Sequence, residues 1–411
     1  MSSSAVGHVI SLGCRLNLAE SETIRTLIAS NDVVVINSCA VTNEAVRQTR
    51  KAIRRARRER PAAQLVVTGC AAQMDPAGFT AMPEVDRVVG NAEKLLPASW
   101  TSHAPALVQD IMAVRQTAPH LAASFSAHAR AFVEVQNGCD HRCTFCAIPF
   151  GRGNSRSVPA GAVVDRIAAL VDAGHREIVL TGVDLTSYGP DLPGAPTLGL
   201  LIERILTRTK VERLRLSSLD GIEIDDRLFA LLTQEQRMLP HVHLSLQAGD
   251  DLILKRMKRR HSRGQSVALV ERLKRARPEI AIGADIIAGF PTEAEAHAAN
   301  TRALIDDCDI VHAHIFPYSP RAGTPAARMP QLPPATITAR AAALRASAAR
   351  RRAAWLDAQR GTVQRVLVER PGDRGHAGNF AEVRLPPHEV GTIATVKIER
   401  AQDGKLIGMP A

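Results

Sequence analysis

Gln136-Asn137-Gly138-Cys139-Asp140-His141-Arg142-Cys143-Thr144-Phe145-Cys146-Ala147-Ile148-Pro149 is the stretch whose reading decides the fold. Its cysteines are spaced C-x3-C-x2-C, tight enough for one turn of chain to aim three thiolates at a common centre. Soft thiolates suit zinc or an iron–sulfur cluster. A closed structural zinc site takes four ligands, and His141 could in principle supply the fourth. Three cysteines on a four-iron cubane instead leave one iron open, a place to bind and activate a ligand.

Outward from this loop, six apolar runs recur: Ala131 to Gln136, Glu177 to Thr181, Arg213 to Leu216, Val242 to Leu246, Ile280 to Ile287 and Ile310 to Phe316. Helical patterns separate them. Six βα units in series predict a curved, parallel, partly closed (βα)6 barrel of TIM-like build, with chemistry at the C-terminal mouth of its strands. The first strand delivers the cysteine loop to that mouth. The second ends near Gly182, where the backbone permits close approach by a ligand. Ser218 and Gln247, at the ends of the third and fourth, are of a type to hydrogen-bond ribose or carboxylate groups. His241 and His243 share a face of their strand, either toward the mouth or buried against backbone carbonyls. Cys308, alone at a helix end, reads as packing. Arg152, Arg156 and the run Lys255 to Arg260 place positive charge near the mouth, as an anion site or a solvated face.

Upstream, residues 1–125 read as a separate small α/β domain. Strands at His8 to Leu12, Asp32 to Asn37 and Gln64 to Thr68 alternate with helices at Leu18 to Ser30 and Glu44 to Glu59, a βαβαβ pattern that implies a parallel sheet. A further strand is read at Asp86 to Asn91, and residues 98–127 read as a linker. Cys14, Cys39 and Cys70 each fall just past a strand end, the edge where ligands bind in open parallel sheets, so a second three-cysteine centre is expected there. The second helix carries Arg47, Arg50, Lys51, Arg54, Arg55, Arg57, Arg58 and Arg60. They suit contact with phosphates or an ordinary basic surface.

The chain has 411 residues, room for two or three domains, and a formal net charge of +11. The charge favours a polyanionic partner, by default nucleic acid. Seven scattered cysteines do not form a disulfide framework. No run nears the roughly 18 apolar residues of a membrane span, and no signal peptide is visible. A reducing cytoplasm fits both observations. No apolar surface repeat or heptad speaks for an oligomer, so a monomer is expected. After a proline-marked break, Thr336 to Gln359 reads as one long helix. Three strands follow, at Thr362 to Glu369, Phe380 to Leu385 and Gly391 to Glu399. They predict a small β-barrel of a kind that often binds nucleic acid; Phe380 is the only candidate in it for a stacking platform, so RNA binding by shape and charge is expected over base reading.

The Gly-Cys…Phe-Cys…Ile-Pro frame of the central loop resembles the radical S-adenosylmethionine (radical SAM) superfamily. Ser11-Leu12-Gly13-Cys14-Arg15-Leu16-Asn17 with Glu20-Ser21-Glu22, Asn37-Ser38-Cys39-Ala40-Val41-Thr42 and Thr68-Gly69-Cys70 narrow the resemblance to its methylthiotransferases along almost the whole chain. His243 to Asp251, Gly283 to Pro291 and Phe316 to Arg321 point the same way. Within that family the chain is similar to the bacterial branch acting on N6-threonylcarbamoyladenosine at position 37 of tRNA. The resemblance implies three parts: an N-terminal methylthiotransferase domain (1–125), a radical SAM domain (126–345) and a TRAM-like RNA-binding β-barrel (346–411). It implies two [4Fe-4S] clusters, one on the catalytic trio Cys139, Cys143 and Cys146 that binds and reductively cleaves SAM, the other on Cys14, Cys39 and Cys70 for handling sulfur. Gly182, Ser218 and Gln247 would contact SAM. Two SAM molecules, a tRNA anticodon loop and an electron donor such as flavodoxin or ferredoxin complete the implied reaction, whose product is the 2-methylthio derivative. Sister branches acting on isopentenyladenosine or on a ribosomal-protein aspartate, and a non-catalytic iron–sulfur RNA-binding protein, are the alternatives.

Overall fold

In the computed structural model, residues 7–28, 32–116 and 128–411 are described. The expected end of the first helix at Ala29 and Ser30, and residues 117–127 of the expected linker, lie outside them.

The N-terminal part is one parallel sheet in sequence order: β1 (His8–Ser11), β2 (Val33–Ser38), β3 (Gln64–Gly69), β4 (Arg87–Val89) and β5 (Ala106–Leu107). Every residue of β2 is buried, as expected of a central parallel strand covered on both faces. The register aligns Ser11 with Asn37, Asn37 with Thr68 and Ser38 with Gly69. Adjacent strands lie about 4.8 Å apart, so Cys14, Cys39 and Cys70 emerge side by side from one sheet edge. The expected linker is structured at its start: Pro97–Thr101 is helical and β5 joins the sheet.

The central part holds all six expected parallel strands. β6 (Arg130–Glu134), β9 (Glu177–Thr181) and β10 (Arg213–Leu216) form one sheet; β11 (Ser218–Leu219), β12 (His241–Gln247), β13 (Ala281–Ala288) and β14 (Ile310–Pro317) form the next. The third strand changes sheets at Ser217, between β10 and β11. Two short strands, β7 (Gln136–Asn137) and β8 (Arg156–Ser157), pair antiparallel and bracket the cysteine loop. Helices cover the outside through apolar stripes; Val163, Ile167 and Leu170, spaced at helical intervals, are buried on helix Ala160–Asp172. Cys308, at the end of helix Glu295–Asp307, is fully buried in this core.

Helix Pro334–Asp357 lies along β14 and leads into a closed five-stranded barrel: β15 (Val363–Glu369), β16 (Arg374–Ala377), β17 (Glu382–Arg384), β18 (Ile393–Gln402) and β19 (Lys405–Pro410). A barrel of about 50 residues buries little surface by itself. It shares its core with Trp355 and Leu356 of the long helix and with Ala281 and Val311 of the central strands.

Phe380, the only candidate in this barrel for a stacking platform, is packed among other side chains. It sits between β16 and β17 at φ +67° and faces the base of the central barrel. His376 stacks on its ring at 4.7 Å, and the rings of His241 and His312 lie 5.1 and 5.7 Å away. His241 is buried with both ring nitrogens unpartnered among the described residues. Burial, with the neighbouring Arg215 charge, holds it far below its ordinary pKa, so it is neutral.

Glu177 fastens this junction. Its carboxylate accepts from Arg213 Nε at 2.8 Å and Arg215 Nε at 2.9 Å. The two guanidiniums in turn donate to the carbonyls of Arg365 and Ala377 in the small barrel. Burial alone would push the Glu177 carboxyl up, but the Arg215 and Arg213 charges hold it at about 2. A depressed folded pKa adds stability that is present above the ordinary carboxylate range and is lost as pH falls through the folded value. Glu177→Gln should therefore lower the unfolding free energy at neutral pH by about 3 kcal/mol, measured by urea denaturation. The wild-type advantage over this variant should shrink between about pH 4.5 and 2.

Candidate active site: two cysteine trios joined by a short helix

Cys14, Cys39 and Cys70 sit at the C-terminal edge of the first sheet, as the register requires. Gly13 stands at φ +93°, and a Cβ there would come within 2.6 Å of Cys39 Cβ and 2.7 Å of its Sγ. The glycine before Cys14 thus both makes the turn and leaves room for the second cysteine. Ser38 Oγ accepts from the amides of Ala71 and Ala72 at 3.2 Å, fixing the helix that begins at Cys70. Burial pushes the Cys39 thiol up to about 11.

Cys139, Cys143 and Cys146 lie on the loop after β7, at the mouth of the central barrel. Thr144 ties that loop down: its amide donates to Met257 O at 3.1 Å and its hydroxyl to Arg256 O at 2.8 Å. Arg259 NH1 approaches Cys143 Sγ at 3.6 Å, while its NH2 donates to Asp220 and to Ser245 O. Burial raises the Cys139 thiol far above its ordinary value and that of Cys146 to about 12. Buried thiols of this kind ionise when a metal takes the sulfur.

Between the trios runs helix Ile148–Arg152, which starts two residues after Cys146 and packs on the helix that starts at Cys70. A Cβ on Gly151 would stand 3.1 Å from Cys70 Cβ. The helix ends in Arg152, 2 % exposed, whose Nε points at Cys70 Sγ at 3.2 Å. The same guanidinium donates to Glu20 and to Asn17 Oδ1. Glu20 Oε2 also accepts from Lys94 Nζ at 2.6 Å, and Lys94 reaches Asn91 Oδ1 at 2.7 Å. Asn91 closes the ring by donating to Gly151 O and lies 3.7 Å from Cys70 Sγ.

Burial would raise the Glu20 carboxyl, yet Arg152 and Lys94 hold it at about 2. Two cations therefore meet one carboxylate in a dry space. The charge left over faces the sulfurs: against the effect of burial, Cys70 and Glu20 keep Arg152 well above its usual value.

The donor set fits iron–sulfur clusters better than zinc. Among the described residues, the groups of three His, Cys or carboxylate donors within 4.8 Å of one another are Cys139–His141–Asp184, His243–Asp285–His314 and His141–Asp220–Glu223. Neither cysteine trio crowds that closely. A tetrahedral zinc, with bonds of about 2.3 Å, draws its sulfurs to about 4 Å apart. His141 turns to Asp184 Oδ2 at 2.8 Å, and that hydrogen bond raises its pKa. It is engaged with carboxylates, not grouped with Cys143 and Cys146.

The other expected site residues occupy distinct positions. Against Gly182 lies Gln136, whose Oε1 would be 3.0 Å from an added Cβ and accepts from the amides of Val183 and Asp184. Ser218 is half-buried in β11, opposite His243. Gln247 ends β12 at φ +67°, a sparsely populated conformation that reorients the chain at the mouth. Ser217 and Thr292, past the ends of the third and fifth strands, have buried hydroxyls without a hydrogen-bond partner among the described residues.

The expected positive patches are partly internal. Arg152 and Arg156 are buried, and Arg259 and Arg260 pair with Asp220, leaving Lys255 and Lys258 exposed. On the basic helix Asn43–Glu59, Arg47, Arg50, Arg54, Arg55 and Arg57 all have acidic partners. Lys94 and the sulfur-facing role of Arg259 carried no signal in the sequence. Their partners are distant in the chain and no spacing announces them.

Fold and cysteine loop together define a radical SAM protein. The Radical SAM superfamily matches residues 133–305, and the Uncharacterized protein family UPF0004 matches residues 7–90. Solved structures agree at the level of fold. The radical S-adenosylmethionine methyltransferase TsrM from Kitasatospora setae superposes with a TM-score of 0.54 at 18% identity, covering 72% of this chain and 66% of its own. The cobalamin-dependent enzyme OxsB gives 0.51 at 11%, covering 82% and 55%. Sequence relatives are more specific. The threonylcarbamoyladenosine tRNA methylthiotransferase MtaB of Rickettsia prowazekii is 45% identical over 405 residues, 97% of this chain and 96% of its own. That of Bacillus subtilis is 37% identical over 335 residues, 77% and 74% of the two chains, and that of Aquifex aeolicus 33% over 406, 94% and 98%. The chain belongs to the MtaB family of radical SAM methylthiotransferases.

If Arg152 couples the two halves of the site, Arg152→Met should cost about 3 kcal/mol of stability, because it leaves Glu20 with one cation. Glu20→Gln should cost clearly less in the Arg152→Met background than alone. A double-mutant cycle by urea denaturation under anaerobic conditions measures the difference, with a coupling above about 1 kcal/mol expected.

Proposed function

We propose that this protein transfers a methylthio group to C2 of N6-threonylcarbamoyladenosine at position 37 of tRNA. The observation that carries the reading is the pair of cysteine trios held on either side of helix Ile148–Arg152, one at a barrel mouth and one at a sheet edge. The names of the relatives supply the substrate. Cys139, Cys143 and Cys146 would hold one [4Fe-4S] cluster, Cys14, Cys39 and Cys70 the other. With SAM bound, these groups supply reductive cleavage of a sulfonium, sulfur handling and a methyl group, chemistry that an ordinary side-chain base cannot perform on an aromatic C–H.

The chain's own residues then have definable tasks. Thr144 and Arg259 fix the catalytic loop at the mouth of the six-stranded, TIM-like barrel. Gly182, Ser218 and Gln247 line the ends of the second, third and fourth strands, where SAM would sit. Arg152 and Asn91 direct N–H groups at Cys70 Sγ. In this reading residues 1–125 form the methylthiotransferase domain, 126–345 the radical SAM domain and 346–411 a TRAM-like barrel. Helix Pro334–Asp357 runs through the last boundary. The small barrel would grip RNA by shape and charge, since Phe380 is committed inward. The excess of 52 basic over 41 acidic residues supports a tRNA partner, and contacts to an unstacked anticodon-loop base are within reach of such a protein. No described helix is long and apolar enough to cross a membrane, and the free cysteines suit a reducing cytoplasm. Electrons would come from a flavodoxin- or ferredoxin-like donor.

The test is product formation on a tRNA substrate by anaerobically reconstituted protein, with threonylcarbamoyladenosine, isopentenyladenosine and a ribosomal-protein peptide assayed in parallel. Wild type should methylthiolate the first, and Cys143→Ala should form no product while still binding tRNA. Sustained activity in Cys143→Ala, or activity on another substrate alone, would overturn the assignment.

A further inference from the structure

Arg15 directly follows Cys14 and opens helix Arg15–Leu27. Its side chain turns from the auxiliary cysteines into the central barrel, where the guanidinium carbon lies 5.4 Å from the centre of the Phe380 ring. Arg130 and Arg215 stand over the same ring at 5.3 and 4.8 Å. Those two are neutralised, Arg130 by Glu369 at 2.5 Å and Arg215 by Glu177 at 2.9 Å. Arg15 is not.

The charged groups facing Arg15 are Arg130, Glu177 and Asp285. Glu177 is occupied by Arg213 and Arg215. Asp285 Oδ1 accepts from His243 Nε2 at 3.0 Å and from His314 Nδ1 at 3.1 Å, and these hydrogen bonds outweigh burial to keep its carboxyl ionised. Among the described residues, Arg15 has no hydrogen-bond or ion-pair partner, although it is half-buried. A partly desolvated guanidinium without a counter-ion is unfavourable. Its planar fork matches a carboxylate bidentately.

The substrate of the proposed reaction carries such a group. Its N6 arm ends in a threonyl unit, with a carboxylate and a hydroxyl. In the adenine ring C2, N1 and C6 are consecutive atoms, so the arm begins close to the carbon that takes the sulfur. A residue that reads the arm must therefore lie beside the residues that handle sulfur. Arg15 meets that condition by chain connectivity, because its neighbour Cys14 belongs to the auxiliary trio. We propose that Arg15 pairs with the threonyl carboxylate and sets the substrate specificity of this site, an inference that rests on the methylthiotransferase reading above. An adenosine with a hydrocarbon arm would leave the guanidinium desolvated and unpaired, and rejection of a wrong substrate works through such penalties.

The experiment uses anaerobically prepared holoenzyme and three anticodon stem-loops: one with threonylcarbamoyladenosine, one with its threonyl methyl ester, one with plain adenosine. Binding and product formation are both read. Wild type should bind the free acid about 10- to 100-fold more tightly than the ester, the range expected for a charge-assisted hydrogen-bonded pair. Arg15→Met should bind acid and ester alike, and Arg15→Lys should recover part of the preference. Iron content equal to wild type shows that Cys14 still holds its ligand; should a variant lose iron, the acid-versus-ester comparison in wild type decides alone. Equal binding of acid and ester by wild type, or full preference retained by iron-replete Arg15→Met, overturns the role of Arg15. Product on the acid loop without discrimination removes Arg15 and leaves methylthiotransfer standing. Discrimination without product removes methylthiotransfer and leaves the carboxylate site standing.

Discussion

A carboxylate with no exposed surface, Glu20, holds two cations that come from different parts of the chain. Lys94 belongs to the first domain. Arg152 ends the short helix that leads out of the Cys139–Cys146 loop. Removing three charges from water is expensive, and the arrangement persists only where every lone pair and N–H finds a partner. Asn17, Asn37 and Asn91 supply those partners. The network positions both trios: Arg152 is six residues from Cys146 and within 3.2 Å of Cys70 Sγ. Its surplus positive charge is what a thiolate-bound cluster would balance.

A second charged junction works at the opposite end of the barrel. Glu177, Arg213 and Arg215 would be the floor of an unusually polar interior were they not sealed by Phe380 and the neutral His241 and His312. Burial, reinforced by the Arg352 charge, holds His312 at about 3. The small C-terminal barrel thus packs on the base of the central part.

Much of this is legible in the chain. Six apolar runs become six parallel strands, and those at Glu177–Thr181 and Arg213–Leu216 are buried throughout. The cysteines after His8–Ser11, Val33–Ser38 and Gln64–Gly69 converge because parallel register carries strand ends to one edge. The charged networks are not legible. Glu20 and Arg152 are 132 residues apart, and local spacing holds no trace of a pairing made by domain packing. Phe380 escapes sequence reading for a related reason: exposure of an aromatic in an isolated barrel says nothing once another domain covers it. The ion pairs of the basic helix are not legible either, since acidic partners such as Glu84 and Asp86 lie beyond the next strand. Residues 98–127 read as a linker in part because β5, within their described start, has only two residues, too few for any periodicity.

Two trios around one buried arginine should each hold an iron–sulfur cubane. Iron, acid-labile sulfide and zinc measured on anaerobically prepared protein test this most directly. Two four-iron clusters predict about eight iron and about eight sulfide per chain, with negligible zinc. Stoichiometric zinc, or no more than about four iron with full cysteine reactivity at Cys14, Cys39 and Cys70, would contradict it.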